Sequence, residues 1–185
     1  VLGPVLRYGD ETEATVWVET DGACEVEVLG CTSSTFEVAD HHYALVHVDG
    51  LSAGSSVAYE VALDGERRWP EQGSPFPPSR IQTPSPDHEA KIVFGSCRVS
   101  VPHDPPYTLR KDQDARGREI DALHTLALRM CDQPAEEWPT RLLLLGDQVY
   151  ADEVSPGTKE FIRSRRSTNQ PPGEQVPDRE AYTHR

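Results

Sequence analysis

The chain has 185 residues, and its 18 lysines and arginines against 31 aspartates and glutamates give a formal net charge of −13 at pH 7. Residues 1–90 hold 16 of the acids and four of the bases, a net of −12, so nearly all of this charge lies in the first half. Such an acidic balance repels phosphate backbones and anionic lipid, which argues against binding to nucleic acid or to a membrane surface. No run of 18 apolar residues occurs, so no membrane span is expected either.

Short runs of alternating polar and apolar residues fill the first half. In residues 14–20, Val16 and Val18 occupy one face, while Trp17 and Glu19 occupy the other. This period of two is typical of half-buried strands, and Asp-Gly turn signals separate the runs. The pattern predicts an antiparallel β-sandwich, the architecture that fibronectin III and immunoglobulin domains share. Further strands are predicted in residues 24–28, 36–38, 42–48 and 57–63.

Tyrosine, cysteine and histidine side chains in this half could have functional roles, but we favour a structural role for each. The stretch around Tyr59 resembles the tyrosine corner of fibronectin type III-like domains, which implies a structural role for the phenol. Cys24 and Cys31 flank a predicted hairpin and are either a strained disulfide or, as we favour, two small buried hydrophobes. The histidines lack the spacing of metal ligands and are interpreted as solvated or capping residues. They are His41, His42, His47, His88 and, just beyond this half, His103.

A proline-rich stretch follows the predicted sandwich. Residues 70–86 contain six prolines, with Ile81 as the only aliphatic side chain. Proline fixes φ and removes a hydrogen-bond donor, so an extended segment is expected here. Together with the charge shift, it predicts a β-sandwich at 1–84, a linker at 85–90 and the beginning of an α/β domain at 91–185.

The pattern beyond residue 90 is strand, helix, strand. Residues 91–94 are a short apolar run, residues 120–130 carry apolar side chains at helical spacing, and residues 142–145 are four leucines. Such a leucine run is typical of a strand covered on both faces, and a β–α–β succession predicts neighbouring parallel strands. Ligands of open α/β sheets bind beyond the carboxyl ends of the strands. Cys97 and Asp147 lie at these two ends.

The side chains at the strand ends predict a metal site. Asp147 offers a carboxylate that can bridge two metal ions, and Cys97 offers a thiolate. Tyr150 would bind as a phenolate, which needs a strongly polarising ion because the reference pKa of tyrosine is about 10. These three donors together fit ferric iron better than zinc. The alternative is that Asp147 caps a turn and Tyr150 is packed.

Two segments resemble the PhoD-like alkaline phosphatases: Gly-Ser-Cys-Arg at 95–98 and Leu-Leu-Gly-Asp-Gln-Val-Tyr-Ala-Asp at 144–152. Those proteins carry a fibronectin-like β-domain ahead of a calcineurin-like metallophosphoesterase domain. The resemblance implies hydrolysis of phosphomonoesters or phosphodiesters with ferric iron and calcium. It implies that Cys97 and Tyr150 bind the iron and that Asp147 is the bridging carboxylate. Arg98 would contact the phosphate ester substrate or, alternatively, form a surface ion pair, and Asp152 receives no role.

The sequence departs from that family in lacking an Asn-His turn and a His-x-His motif. Only two histidines, His124 and His184, follow residue 116. His124 is interpreted as a boundary residue beside the apolar stripe of the predicted helix. We therefore expect the front portion of a longer hydrolase, with little or no phosphatase activity alone, soluble and, as written, cytoplasmic. Two rival interpretations remain. One is a non-catalytic β-sandwich that binds a partner, and the other is structural zinc held by Cys97 and Cys131, which lack paired spacing.

Overall fold

Strands dominate the first half of the computed structural model, which describes residues 2–87, 89–99, 101–147, 154 and 156–176. The strands before residue 90 are β1 (Leu2–Gly9), β2 (Ala14–Thr20), β3 (Glu25–Val28), β4 (Cys31–Ser34), β5 (Phe36–Val38), β6 (His41–Val48), β7 (Ser56–Ala58), β8 (Val61–Leu63), β9 (Glu66–Trp69) and β10 (Arg80–Gln82). The later elements are β11 (Ile92–Gly95), α1 (Ala122–Cys131), a 3₁₀ helix (Ala135–Glu137), β12 (Arg141–Leu144) and α2 (Pro156–Arg165).

Two four-stranded antiparallel sheets make the N-terminal sandwich. One has the strand order β1-β2-β6-β5 and the other β4-β3-β8-β9, while β7 and β10 form a separate antiparallel pair. The predicted alternation is confirmed in β2, where Val16 and Val18 are buried and Trp17 and Glu19 are only partly so. The first half is therefore a β-sandwich, as the sequence predicts.

The core of the sandwich is built from β-branched side chains of both sheets. Val16 and Val46 come from one sheet and Val26 and Val61 from the other, and all four are fully buried. Ile81 of β10 is also fully buried in this cluster, so the proline-rich stretch contributes an anchor to the core. Valine and isoleucine suit this position because their branched side chains pack well on a pleated surface.

Two predicted strands differ from the observed ones. The run 57–63 is not a single strand, because β7 pairs with β10 while β8 pairs with β3 in another sheet. Phe36 and Val38 form a strand as predicted but are exposed rather than inward-facing. They lie on β5, an edge strand, where the sheet register places Phe36 beside Tyr43 on the outer face.

This outer face of the first sheet is rich in apolar side chains. The register aligns Val5, Trp17 and Leu45 across three strands. Trp17 also lies 6.0 Å from Tyr43 between ring centroids, and Tyr43 lies 6.0 Å from Phe36. Val5 and Leu45 are exposed and Trp17 and Tyr43 partly so, which makes this face a candidate interaction surface.

Tyr59 and the first two cysteines are structural in the observed fold. Tyr59 is buried, and this burial raises the pKa of its phenol, while a hydrogen bond with Ser79 opposes the shift. Ser79 also accepts a hydrogen bond from the indole N–H of Trp69 at 2.9 Å. Cys24 and Cys31 are free thiols packed against the core. A disulfide between them is excluded, because Cys31 pairs with residue 28 and Cys24 bonds to residue 35 at the other end of the hairpin.

The strands β11 and β12 form a two-stranded sheet. The N–H of Arg141 donates to the carbonyl of Lys91 at 3.2 Å and, four residues further along both segments, the N–H of Leu145 donates to the carbonyl of Gly95 at 2.8 Å. Both segments therefore advance in the same direction, as in a parallel pair. The leucines at 142–145 are 45–63% exposed, which differs from the predicted coverage on both faces. Within the described residues this sheet has no further strand to shield them.

The described chain divides into two units by its internal contacts. The first contains the residues up to Val93 together with Ala127–Leu142, and the second contains Phe94–Leu126 and the described residues from Leu143 onward. The predicted boundaries at 84 and 90 stay a prediction. Among the described residues, no helix has the length and apolar character needed to cross a bilayer.

Candidate metal centre

The backbone brings the ends of β11 and β12 together. Beyond the strands, the N–H of Cys97 donates to the carbonyl of Gly146 at 3.3 Å. This bond continues the pairing of the two strands by one more step after the bond between Leu145 and Gly95. The segments that carry Cys97 and Asp147 therefore leave the sheet side by side.

Both predicted ligands have left-handed backbone conformations. Cys97 has φ of 58° and Asp147 has φ of 50°, next to Gly146 at 126°. For residues with a Cβ this region costs about 1–2 kcal/mol relative to the right-handed one; aspartate adopts it more readily than cysteine. Such conformations persist only where the surrounding structure holds them, and they occur at functional sites as well as in tight turns, as at Ala39, Asp40 and Asp64 of this chain.

The side chains of these two residues meet. The Cys97 thiol donates a hydrogen bond to Asp147 Oδ2 at 3.3 Å, and both residues are exposed. The Ser96 hydroxyl lies 3.6 Å from the same sulfur. Tyr150 and Asp152 lie outside the described residues, so the predicted third ligand stays a prediction.

The spacing of the two donors fits two ligands of one metal ion. With metal–sulfur and metal–oxygen distances of about 2.3 and 2.1 Å, two such ligands lie roughly 3.1 Å apart at a right angle and roughly 3.6 Å apart at a tetrahedral angle. The observed 3.3 Å between the Cys97 sulfur and the Asp147 oxygen falls between these values. No group of three or more histidine, cysteine, aspartate or glutamate side chains suited to a metal occurs within the described part of the chain. Within the described residues, the pair therefore brings two potential donor atoms together without a third.

Arg98 is held by a carboxylate rather than directed to solvent. Its Nε donates to Asp121 Oδ1 at 2.9 Å and its Nη2 donates to Asp121 Oδ2 at 2.7 Å, a two-point ion pair. The Asp121 side chain is only 3% exposed and that of Arg98 is 29% exposed. The pair favours the ion-pair interpretation of Arg98 that the sequence left open.

Asp121 also caps helix α1. Its Oδ1 accepts the backbone N–H groups of Leu123 at 3.1 Å and His124 at 3.2 Å, which would otherwise lack an intrahelical partner. The hydrogen bond from Arg98 lowers the pKa of the Asp121 carboxyl, and burial opposes this shift. One carboxylate thus ties the residue next to Cys97 to the first turn of α1.

Comparison with known proteins covers only the sandwich. A family model described as a domain of unknown function (DUF7800) matches residues 1–81. This span ends within β10, and it contains neither Cys97 nor Asp147. No curated protein and no solved structure matches the chain.

Sequence reasoning missed two features of the second unit. Asp121 directly precedes α1, and an acidic residue at that place is a recognised capping signal, but the helical spacing taken from residue 120 onward put it inside the predicted helix. The other missed feature is a contact between the imidazoles of His103 and His124, whose ring centroids lie 4.7 Å apart. No spacing signal could have revealed it, because 20 residues and a proline-rich loop separate the two histidines.

Proposed function

We propose that this chain belongs to a metal-dependent phosphoric ester hydrolase similar to the PhoD-like alkaline phosphatases. In this proposal a fibronectin-like sandwich precedes calcineurin-like sequence, and the hydrolase acts on phosphomonoesters or phosphodiesters. The observation that carries it is the 3.3 Å contact between Cys97 and Asp147 beyond two adjacent strand ends. The left-handed conformation of both residues is a second, independent support.

Cys97, Asp147 and Tyr150 would hold ferric iron, with calcium as a second ion beside Asp147. Metal ions in such a site polarise a phosphoryl oxygen, activate water and stabilise the leaving oxygen. The contribution of this chain is to keep a thiolate and a carboxylate adjacent on a fixed backbone. Arg98 acts as a positioning residue, because its ion pair with Asp121 holds the residue that follows Cys97.

Iron binding tests the proposal directly. Titration of the chain with a soluble ferric chelate should produce a visible charge-transfer band, because ferric phenolate and ferric thiolate complexes are coloured. Cys97→Ser and Asp147→Asn should each weaken iron binding by on the order of tenfold or more, as expected for loss of a direct ligand. Tyr150→Phe should remove the phenolate part of the band.

Cys131→Ser is the matched control, since Cys131 is also a free, exposed thiol. It should leave both affinity and colour unchanged. A wild-type chain that stays colourless, or a Cys131 variant that loses iron as Cys97→Ser does, would refute the assignment of the site.

A second candidate, a non-catalytic interaction module, is favoured by the apolar outer face around Trp17, Tyr43 and Leu45. Under this alternative the sandwich binds a partner and the second unit has no metal chemistry. It predicts that the chain binds no ferric iron above the level of the Cys97→Ser variant. The same titration therefore separates the two candidates.

A further inference from the structure

Two histidines far apart in the sequence meet in the second unit. His103 lies in the proline-rich loop after β11, and His124 lies in the first turn of α1. Their ring centroids are 4.7 Å apart and their planes are inclined by 47°. The inclination distinguishes this contact from a parallel ring stack.

Backbone hydrogen bonds order the chain at His124 and just after His103. The N–H of His124 is fixed by the Asp121 carboxylate at 3.2 Å, and that carboxylate is itself held by Arg98. After His103, the carbonyl of Asp104 accepts the backbone N–H of Tyr107 at 3.0 Å in a turn. Neither imidazole has a hydrogen-bond or ion-pair partner within the residues that the structure describes. Among the described residues, no group therefore competes with a ligand for the ring nitrogens of these two histidines.

The distance between the rings matches two imidazoles on one metal ion. A metal lies about 2.05 Å from a ligating imidazole nitrogen, hence roughly 3.2 Å from the ring centroid. Two such rings have centroids roughly 4.5 Å apart at a right angle and roughly 5.2 Å apart at a tetrahedral angle. The observed 4.7 Å falls between these two values. Imidazole is a common ligand of Ni²⁺, Cu²⁺ and Zn²⁺.

We propose that His103 and His124 form a two-imidazole site for a divalent transition-metal ion. Water completes the coordination, since His103 is exposed and His124 is only partly buried. The site uses none of the residues of the Cys97–Asp147 pair, so it does not rest on the proposed hydrolase function.

Ni²⁺ is the probe for the experiment, because it prefers imidazole and does not oxidise the four cysteines. The chain is titrated at neutral pH, above the pKa of about 6.5 of free imidazole, while the ring proton resonances of its seven histidines are followed by NMR. Paramagnetic broadening should appear first at His103 and His124. Calorimetry should show affinity falling about tenfold or more in His103→Ala and in His124→Ala, because chelation needs both rings.

Two control variants make the result specific. His47→Ala removes an exposed histidine of β6 and should leave Ni²⁺ affinity unchanged. Cys97→Ser should also leave it unchanged, even if it abolishes iron binding. Broadening of His47 as early as that of His103 would refute the site. Ni²⁺ binding that survives the double histidine variant but is lost in Cys97→Ser would also refute it. The wild-type NMR result stands even if a histidine variant fails to fold.

Discussion

Replacing Arg98 by alanine should destabilise the second unit by about 2–3 kcal/mol. The change leaves Asp121, a carboxylate that is 3% exposed, without its cation. Breaking a buried ion pair by removing one partner costs about 3–5 kcal/mol. A value at or just below this range applies here, because the guanidinium is 29% exposed and Asp121 keeps its two backbone hydrogen bonds at the start of α1.

Urea unfolding followed by circular dichroism at the helical band measures this difference, since the second unit contains the first half of α1 and helix α2. Arg116→Ala is the matched control. Arg116 also forms an ion pair with an aspartate, but its side chain is 65% exposed, and exposed pairs contribute about 0–1 kcal/mol. Arg98→Lys should lie between alanine and wild type, because lysine cannot form the two-point contact.

The effect should also depend on pH. Arg98 lowers the pKa of the Asp121 carboxyl in the folded state. The stabilisation is therefore fully present above the unfolded pKa of about 3.9 and is lost as the pH falls through the lower folded pKa. The stability difference between wild type and Arg98→Ala should accordingly shrink in acid. A difference no larger than that of the Arg116 variant, or one that stays constant into acid, would refute this account of the pair.

Two further predictions concern backbone strain and the sandwich core. In urea unfolding, the Cys97→Gly variant should be more stable than Cys97→Ala by about 1 kcal/mol, because only alanine keeps the Cβ that the left-handed φ of 58° disfavours. At Cys131, the last residue of α1, the alanine variant should be the more stable of the two. The same order of stability at both positions would contradict backbone strain at Cys97. Ile81→Ala should destabilise the sandwich by about 3 kcal/mol in tryptophan-monitored unfolding, since Ile81 is fully buried. Ile92→Ala, at an exposed position, should cost less than about 1 kcal/mol, and equal costs would place Ile81 outside the core.

Local patterns were sufficient for much of the sandwich. The faces of β2 follow from its period of two, because alternation is a property of consecutive residues and needs no partner to be recognised. The meeting of Cys97 with Asp147 also follows from local signals, once each is placed at the end of a strand and the strands are taken as neighbours. The identity of the metal ion that these residues would bind is inferred from the resemblance, and the proposed iron titration tests it.

Long-range features required the tertiary structure. Whether residues 57–63 form one strand depends on their pairing partners. In the fold, β7 pairs with β10, whereas β8 pairs with β3 in another sheet. The exposure of Phe36 depends on its strand lying at an edge, which its own sequence does not encode.

The sequence by itself determined the alternation in β2, the positions of strands such as β2, β3 and β6 and of helix α1, and which polar side chains follow β11 and β12, since these depend on neighbours within a few positions. It left β4, β9 and β10 unpredicted. Only the tertiary structure decided that Arg98 pairs with Asp121, that His103 meets His124, and that Cys97 has a left-handed backbone. The physical reason is that partner choice and backbone strain are set by segments that folding brings together across long stretches of chain.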